Sequence, residues 1–448
     1  MKPYPKYKSS GIEWVGEIPD KWGFSKIKFS SYVKGRIGWQ GLRTDEYCDE
    51  GTYLVTGTDF VDGRIKWADC HHVSKDRYDQ DPYIQLRNQD LLITKDGTIG
   101  KVALVEQLPD IATLNTGILV VRPENSVYLT PYMFWILNSA LLREFIEYTK
   151  AGSTISHLYQ ETFGEFAFPV PKISEQQSIA TYLDRKTKQI DGLIEKKQNQ
   201  IDLLREQRIA VINEAVTKGL NPKAKMKDSG IEWIGEIPAH WEMPRLKFVA
   251  RLQGGYAFST DAFQNEGVPV VRMNNLRRGT LDLSESIRVD DDHAEAEYAL
   301  EEGNLLLGMS GSIGETGSLG NYAIVKKSDL PCQLNQRVGR FRRGENCLSN
   351  YLCYFVQSKP FTLPLLFDCT GTAQFNISSG QVGEIVAPLP PASEQQDIAS
   401  FLDHKTSEFD TMIAKEERLI ELLQEYRTSL ISEVVTGKVD VRDVRSEN

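Results

Sequence analysis

No apolar run in this sequence is long enough to cross a bilayer; Met133 to Leu142 comes nearest and is interrupted by Asn138 and Ser139. Met1-Lys2-Pro3-Tyr4 opens no signal-peptide core. Both absences point to a cytoplasmic chain with no membrane partner. Cysteine is scarce: Cys48 and Cys70 fall in the first half, Cys332, Cys347, Cys353 and Cys369 in the second. None has the spacing of a zinc site, and the halves share none of them. Cys70-His71-His72 is the one dense group of possible ligands, and adjacent residues on a strand point to opposite faces, so no metal site is expected. Positive charge is also in deficit. Lys and Arg total 52 against 62 Asp and Glu, a net charge of −10. That counts against a protein that holds nucleic acid by unaided charge, since phosphate neutralisation drives such binding. Focused basic residues, or a partner's positive surface, would have to supply the grip.

What the sequence does contain is itself, twice. Ser10-Gly11-Ile12-Glu13-Trp14 returns as Ser229-Gly230-Ile231-Glu232-Trp233, and Gly16-Glu17-Ile18-Pro19 as Gly235-Glu236-Ile237-Pro238. Trp22 returns as Trp241, and Ser174-Glu175-Gln176-Gln177 as Ser393-Glu394-Gln395-Gln396. Every pair lies 219 residues apart, far too long a period for a solenoid. The 448 residues therefore form a tandem duplication in which well-matched and poorly matched stretches alternate. Five segments follow: a scaffold motif at 1–29, a variable module at 30–170, a central scaffold region at 171–247, a second variable module at 248–388 and a C-terminal scaffold helix at 389–448.

The scaffold regions carry the clearest local pattern. After Pro169 and Pro171, and again after Pro388, Pro390 and Pro391, a serine is followed three residues later by glutamine. Ser174 with Gln177, and Ser393 with Gln396, read as capping boxes at helix starts. Each helix then runs about 45 residues, a rod of roughly 65 Å. Leu183, Ile190, Leu204 and Val211 alternate with Ile194, Ile201 and Ala215 in the first. Leu402, Phe409, Leu423 and Leu430 alternate with Ile413, Ile420 and Val434 in the second. Such spacing favours a coiled coil, with polar breaks at Thr187, Lys197 and Arg208 matched by Thr406, Glu416 and Arg427.

The variable modules read as mixed α/β. Leu91-Leu92-Ile93-Thr94 and Leu305-Leu306-Leu307-Gly308 have the composition of buried strands ending in glycine turns, and Ile118–Val121 and Val338–Phe341 that of further strands. Pro131 to Phe145 and Asn350 to Gln357 read as helices. No nucleophile–base pair emerges. Gly97-Thr98-Ile99-Gly100-Lys101 has the wrong spacing for a phosphate loop, Asp20 is replaced by Ala239 in the other copy, and His157 by Asn376. The residues suited to DNA are basic and amide side chains: Arg272 to Arg278 and Arg337 to Arg343 in the second module, and Lys34-Gly35-Arg36, Trp39-Gln40 and Arg43 in a glycine-rich loop of the first. Arginine pairs bidentately with guanine and asparagine or glutamine with adenine, while lysine and arginine also hold phosphates.

Two ordered copies of Gly-Ile-Glu-Trp-Val/Ile-Gly-Glu-Ile-Pro, of Pro-x-Pro…Ser-Glu-Gln-Gln, and of an ending seen as Leu204 to Thr217 and Leu423 to Thr436 resemble the specificity subunit of type I restriction–modification systems, over essentially the whole chain. The resemblance implies an α+β chain: two α/β target recognition domains separated by a long antiparallel two-helix coiled coil that acts as a ruler. Each domain would read one half of a bipartite double-stranded DNA site. The candidate DNA contacts are Arg36, Trp39, Gln40, Arg43, Lys95, Thr154, Tyr256, Asn274, Asn275, Arg277 and Arg278. The candidate scaffold and partner contacts are Trp14, Trp22, Glu206, Arg208, Trp233, Trp241, Glu425 and Arg427. The resemblance further implies two modification subunits that bind S-adenosylmethionine and methylate adenine, restriction subunits that use ATP and magnesium, and a chain that is itself non-catalytic and holds no cofactor. Two alternatives stay open on the residues alone: a DNA-binding scaffold repurposed without a nuclease partner, and a single-chain DNA-modifying enzyme.

Overall fold

The repeated Gly-Ile-Glu-Trp motif is a hairpin. Tyr7–Ser9 pairs antiparallel with Glu17–Pro19, Lys8 opposite Ile18, and Met226–Asp228 pairs with Glu236–Pro238, Lys227 opposite Ile237. Gly16 and Gly235 close the turns at φ 68° and 71°, a left-handed conformation that disfavours any side chain. The hydroxyls of Ser10 and Ser229 accept the amides of Ile12 and Ile231 at 3.1 and 3.2 Å. The motif recurs because both turns need the same chemistry. These and the following features come from a computed structural model that describes residues 2–36, 42–150, 157–313, 317–344, 347–371 and 374–442.

Two compact units divide the chain: residues 1–198 with 418–448, and residues 199–417. The boundaries cut both long helices, Ile173–Lys218 and Ala392–Val435, so each unit takes part of each helix. In the first unit, Leu183 and Ile190 share a core with Leu430, Ile431, Val434 and Val435. In the second, Ile212, Ala215 and Val216 share one with Ile398, Ala399 and Leu402. Within each unit the helices run antiparallel. Arg427 grips Asp191 through Nε and Nη2 at 2.8 and 3.3 Å, and Arg208 Nε reaches Asp410 at 3.2 Å. The offset of 219 exchanges one pair for the other. Thr187 and Thr406, polar breaks in the heptads, are buried and donate back to Leu183 O and Leu402 O, each at 2.7 Å. A threonine that bonds its own helix can sit in an apolar seam without an orphaned hydroxyl.

The variable modules share a four-stranded antiparallel frame. In the first, the order is Ser31–Gly35, Ile118–Pro123, Leu91–Thr94, Val102–Leu104, with Val33 opposite Val121, Leu92 opposite Val120 and Leu92 opposite Ala103. In the second it is Ala250–Gly254, Val338–Arg343, Leu305–Gly308, Tyr322–Ile324. Both faces of the central strand are covered. Leu91 and Ile93 face one core and Leu92 the other, as do Leu305 and Leu307 against Leu306, which is why these strands read as unbroken apolar runs. The short strands Arg64–Ile65 and Phe60–Val61 extend the first sheet; in the second module the hairpin Leu276–Arg277 with Thr280–Leu281 forms its own sheet.

Helices follow the frame, with one difference from expectation. Pro131 to Phe145 is not a single helix but two, Thr130–Leu137 and Ala140–Lys150, and the second module repeats the break with Ser349–Phe355 and Lys359–Asp368. At each break a buried serine, Ser139 or Ser358, donates back to Ile136 O or Phe355 O at 2.6 Å. The first helix of each pair is fastened to a long helix and to the segment that leads into it. Trp135 Nε1 donates to Asp184 and Tyr354 OH to Asp403, at 2.9 and 2.6 Å. Tyr132 OH and Tyr351 OH donate to Pro169 O and Pro388 O at 2.9 and 2.7 Å.

The long helices do not start with the expected capping box. The first begins at Ile173, one residue before Ser174, and Gln177 turns along the helix to Thr181. The neighbouring glutamine does the structural work. Gln176, fully buried, donates to Val127 O and Pro171 O at 2.9 and 3.0 Å and accepts Leu129 N at 2.8 Å. Gln395 repeats this with Pro390 O and Leu348 N at 2.8 and 2.9 Å. The first helical amides already have main-chain acceptors, Gln176 N on Lys172 O and Gln395 N on Pro391 O, and the glutamine side chain takes the proline carbonyl one residue further back. Removing such an amide strands buried groups worth ~1–3 kcal/mol each. Gln176→Leu should therefore lower the unfolding free energy by about 3 kcal/mol or more, whereas Gln177→Ala should stay within about 0.5 kcal/mol. Denaturant titration of both variants separates the buried amide from a cap.

Candidate nucleic-acid interface

Each module gathers three segments at one end of its sheet. In the first they are the turn after Leu91–Thr94, the turn before Ile118–Pro123, and the chain around His157. The backbone of Lys95 joins all three: its N–H donates to Gly117 O at 2.8 Å and its carbonyl accepts Leu158 N at 2.8 Å. In the second module Met309 takes the same place, donating to Arg337 O and accepting Ile377 N, both at 2.9 Å. Asn115 N to Val55 O at 3.0 Å is likewise repeated as Asn335 N to Val271 O at 3.2 Å. Side chains at this junction differ while the backbone does not. His157 Nδ1 hydrogen-bonds Asp96 in one module; in the other, Ser310 Oγ donates to Asn376 Oδ1 at 2.6 Å. Gly117 in one corresponds to Arg337 in the other.

The candidate DNA contacts distribute unevenly over this arrangement. Lys95 belongs to the junction and is half-buried. Tyr256 borders it in the second module, bonded through its backbone to Leu334 O and Gln336 N at 2.9 and 2.8 Å, 37% exposed and against Phe258 and Tyr298. Trp39, Gln40 and Thr154 lie outside the described residues. Arg43 is exposed at the edge of the short turn Thr44–Glu46. Arg277 and Arg278 are exposed on the Leu276–Leu281 hairpin and Asn274 on the short turn Met273–Asn275 before it, where Arg277 Nη1 donates to Asn274 O at 2.7 Å.

Two candidates are corrected. Arg36 is 2% exposed, and its Nε and Nη2 donate to Leu114 O and Thr113 Oγ1 at 2.9 and 3.0 Å. Burial pulls its guanidinium pKa down from the usual value. It ties strand ends together and does not face a ligand. Asn275 is 3% exposed; its Oδ1 accepts Arg272 N at 2.8 Å and its Nδ2 donates to Asp282 O at 2.9 Å, holding the hairpin. Arg340, within the basic run of the second module, is also buried, on Ala299 O, Glu297 O and Gln253. A basic loop residue and a buried strand-end arginine look alike in sequence.

The scaffold candidates also divide. Trp22 and Trp241 serve from inside, 2% and 1% exposed, and Trp241 Nε1 donates to Glu394 at 3.0 Å. Trp14 Nε1 donates to Ala167 O at 3.2 Å and its ring meets Phe145 and Tyr148. Trp233 stays 43% exposed beside Phe367, itself 73% exposed. Glu206 and Glu425 face solvent; Arg208 and Arg427 make the helix-to-helix ion pairs described above. A surface missed from sequence lies at Phe29 and Phe248. These rings are exposed at equivalent places, with Lys28 and Lys247 over them at 5.0 and 5.2 Å. Beside them Glu165 bridges Lys26 and Lys28, which hold its pKa down to about 2, and Glu384 bridges Lys247 and Arg245. The signal was the recurrence of an identical phenylalanine at the period of 219 just outside the matched motif.

Arg36 thus acts on the fold. Arg36→Ala should cost about 2 kcal/mol or more by freeing two buried acceptors, while Arg43→Ala should change stability by less than about 0.5 kcal/mol. Thermal or denaturant unfolding of the two variants checks this.

Comparison with known proteins accords with the duplicated frame. A family profile described as type I restriction modification DNA specificity domain matches residues 38–203 and 238–424, one match in each copy. The type I restriction enzyme MjaVIII specificity subunit of Methanocaldococcus jannaschii is 26% identical over 432 residues, 95% of each chain. The EcoKI specificity subunit of Escherichia coli strain K12 is 22% identical, over 97% of this chain and 92% of its own. Among solved structures, one reported for complex assembly and conformational transition of the type I R-M system has a TM-score of 0.70 at 15% identity, covering 94% of this chain and 99% of that one. The HsdS subunit of Thermoanaerobacter tengcongensis has a TM-score of 0.50 at 14% identity, covering 94% and 98%. With both copies matched and more than half of its residues covered, this chain belongs to the type I restriction modification DNA specificity family.

Proposed function

We propose that this chain gives a type I restriction–modification complex its target sequence, each module reading one half of a bipartite DNA site. The observation that carries the reading is internal to the chain. Two modules keep the same strand order and the same backbone bonds at Lys95 and Met309, yet place different hydrogen-bonding side chains on that frame. A binding surface for two different half-sites requires this combination of fixed support and variable contacts. The chain supplies recognition and no chemical step of its own.

Partners supply the rest. Two copies of a modification subunit would carry S-adenosylmethionine and methylate adenine, and restriction subunits would use ATP and magnesium to cut. Two copies of one partner need two equivalent surfaces, and the exposed Phe29 and Phe248, each with its Lys–Glu–Lys or Arg–Glu–Lys cluster, supply such a pair. The net charge of −10 suits a subunit that shares its grip on phosphates with its partners. The long helices, about 1.5 Å per residue, would set the spacer between half-sites.

Exchange of residues 249 to 384 for the equivalent segment of another family member tests the reading. In a complex with modification subunits, the hybrid should methylate a site in which one half-site is new and the other unchanged. A change in both half-sites, or in neither, would contradict one module per half-site.

A further inference from the structure

The geometry points to the junction around Lys95 and Met309 as the place where bases are read, with Arg337 and Gln336 as the specificity-determining residues of the second module and His157, positioned by Asp96, as that of the first. This rests on the reading that each module binds half of a DNA site. Three observations carry it.

First, the junction is the part of each module where main chain is held constant and side chains are not. The bonds from the central residue to the turn before the next strand and to the segment after the helices have the same donors and acceptors in both copies, within 0.1 Å, at 2.8 Å in one and 2.9 Å in the other. Over this frame Gly117 stands where Arg337 stands, Thr116 where Gln336 stands, and the Asp96–His157 pair where Ser310–Asn376 stands. Of these three exchanges, two set one hydrogen-bonding side chain or pair in place of another, and the third sets a guanidinium where the other module has no side chain at all.

Second, the side chains are available. Gln336 and Arg337 are exposed, and among the described residues no hydrogen bond or ion pair engages the Gln336 amide or the Arg337 guanidinium. Of the arginines that follow it, Arg340 is buried and Arg342 Nε donates to Gln253 at 2.8 Å. His157 is half-exposed, its side chain at 51%. The bond to Asp96 engages Nδ1 and leaves Nε2 directed away from that carboxylate.

Third, the chemistry matches base edges. A guanidinium supplies parallel donors to guanine O6 and N7, and a glutamine amide pairs with adenine N6 and N7. An imidazole held at Nδ1 presents Nε2 to a base edge, where a ring nitrogen accepts from the amino group of cytosine or adenine and a ring N–H donates to guanine N7 or O6. These are major-groove contacts, and an unbound guanidinium braced through its own main-chain carbonyl enters them with little backbone freedom left to lose.

The test uses the full complex of this chain with its modification subunits. Methylation is measured on a plasmid library in which every position of both half-sites is varied, for the unaltered chain and for the Arg337→Ala, Gln336→Ala and His157→Ala variants. Arg337→Ala is expected to lower base preference about 5- to 150-fold at one or two positions of a single half-site. His157→Ala should do so only in the other half-site. Preferences unchanged within twofold at every position, or a uniform loss across all sequences as for a phosphate contact, would overturn the assignment. Arg337→Lys, which keeps the charge but not the bidentate fork, guards against misfolding: it should melt as the unaltered chain does and still lose the preference. Absence of any sequence preference in the unaltered complex would instead overturn the underlying reading of half-site recognition.

Discussion

Each compact unit is closed by pieces drawn from both halves of the chain, and the rest of the structure depends on that packing. The start of the first long helix, at Leu183 and Ile190, completes its core with Leu430 and Val434 from the end of the second. The end of the first, at Ile212 and Val216, completes its core with Ile398 and Leu402 from the start of the second. Burying such a side chain is worth about 1.5–3 kcal/mol, whereas an exposed ion pair such as Asp191–Arg427 contributes well under about 1 kcal/mol. Apolar burial therefore holds the helices, and the ion pairs select which residues face each other. A module cannot move along a helix without exposing that core, so the modules are fixed to the scaffold residue by residue.

From that fixed scaffold the modules hold their loops through main-chain bonds. Buried side chains reinforce the loops from behind: Arg36 in one module, Arg340 in the other, and Asn275 beneath the Leu276–Leu281 hairpin. Support by backbone and by buried polar groups leaves the exposed positions free to differ. The chain can thus carry two different readers on one architecture without two different folds.

Much of this was legible in the sequence, and the failures share a cause. The repeat itself, the apolar strands Leu91–Ile93 and Leu305–Leu307, and the long helices were visible because a fixed period, buried strands and heptads leave a local pattern, whereas the hairpin form of the repeated motif came from the structure. The buried roles of Gln176, Arg36 and Asn275 were not visible. Each is decided by carbonyls and amides brought in from elsewhere, 47 residues away for Gln176 and 78 for Arg36. Composition shows that a polar residue is present in a loop, not whether the fold turns it inward. The capping-box reading failed for the same reason: Ser174 and Gln177 have the correct spacing, but the prolines before the helix recruit the adjacent Gln176 instead.

The central claim is that this chain, acting with partners, sets the sequence at which DNA is modified. The most direct measurement is a genome-wide map of methylated adenines in a host carrying the intact gene and in the same host without it. The account predicts that deletion abolishes methylation at one bipartite motif, two short half-sites with a fixed spacer, and leaves every other motif untouched. Identical maps, or loss at a single continuous motif with no spacer, would contradict it.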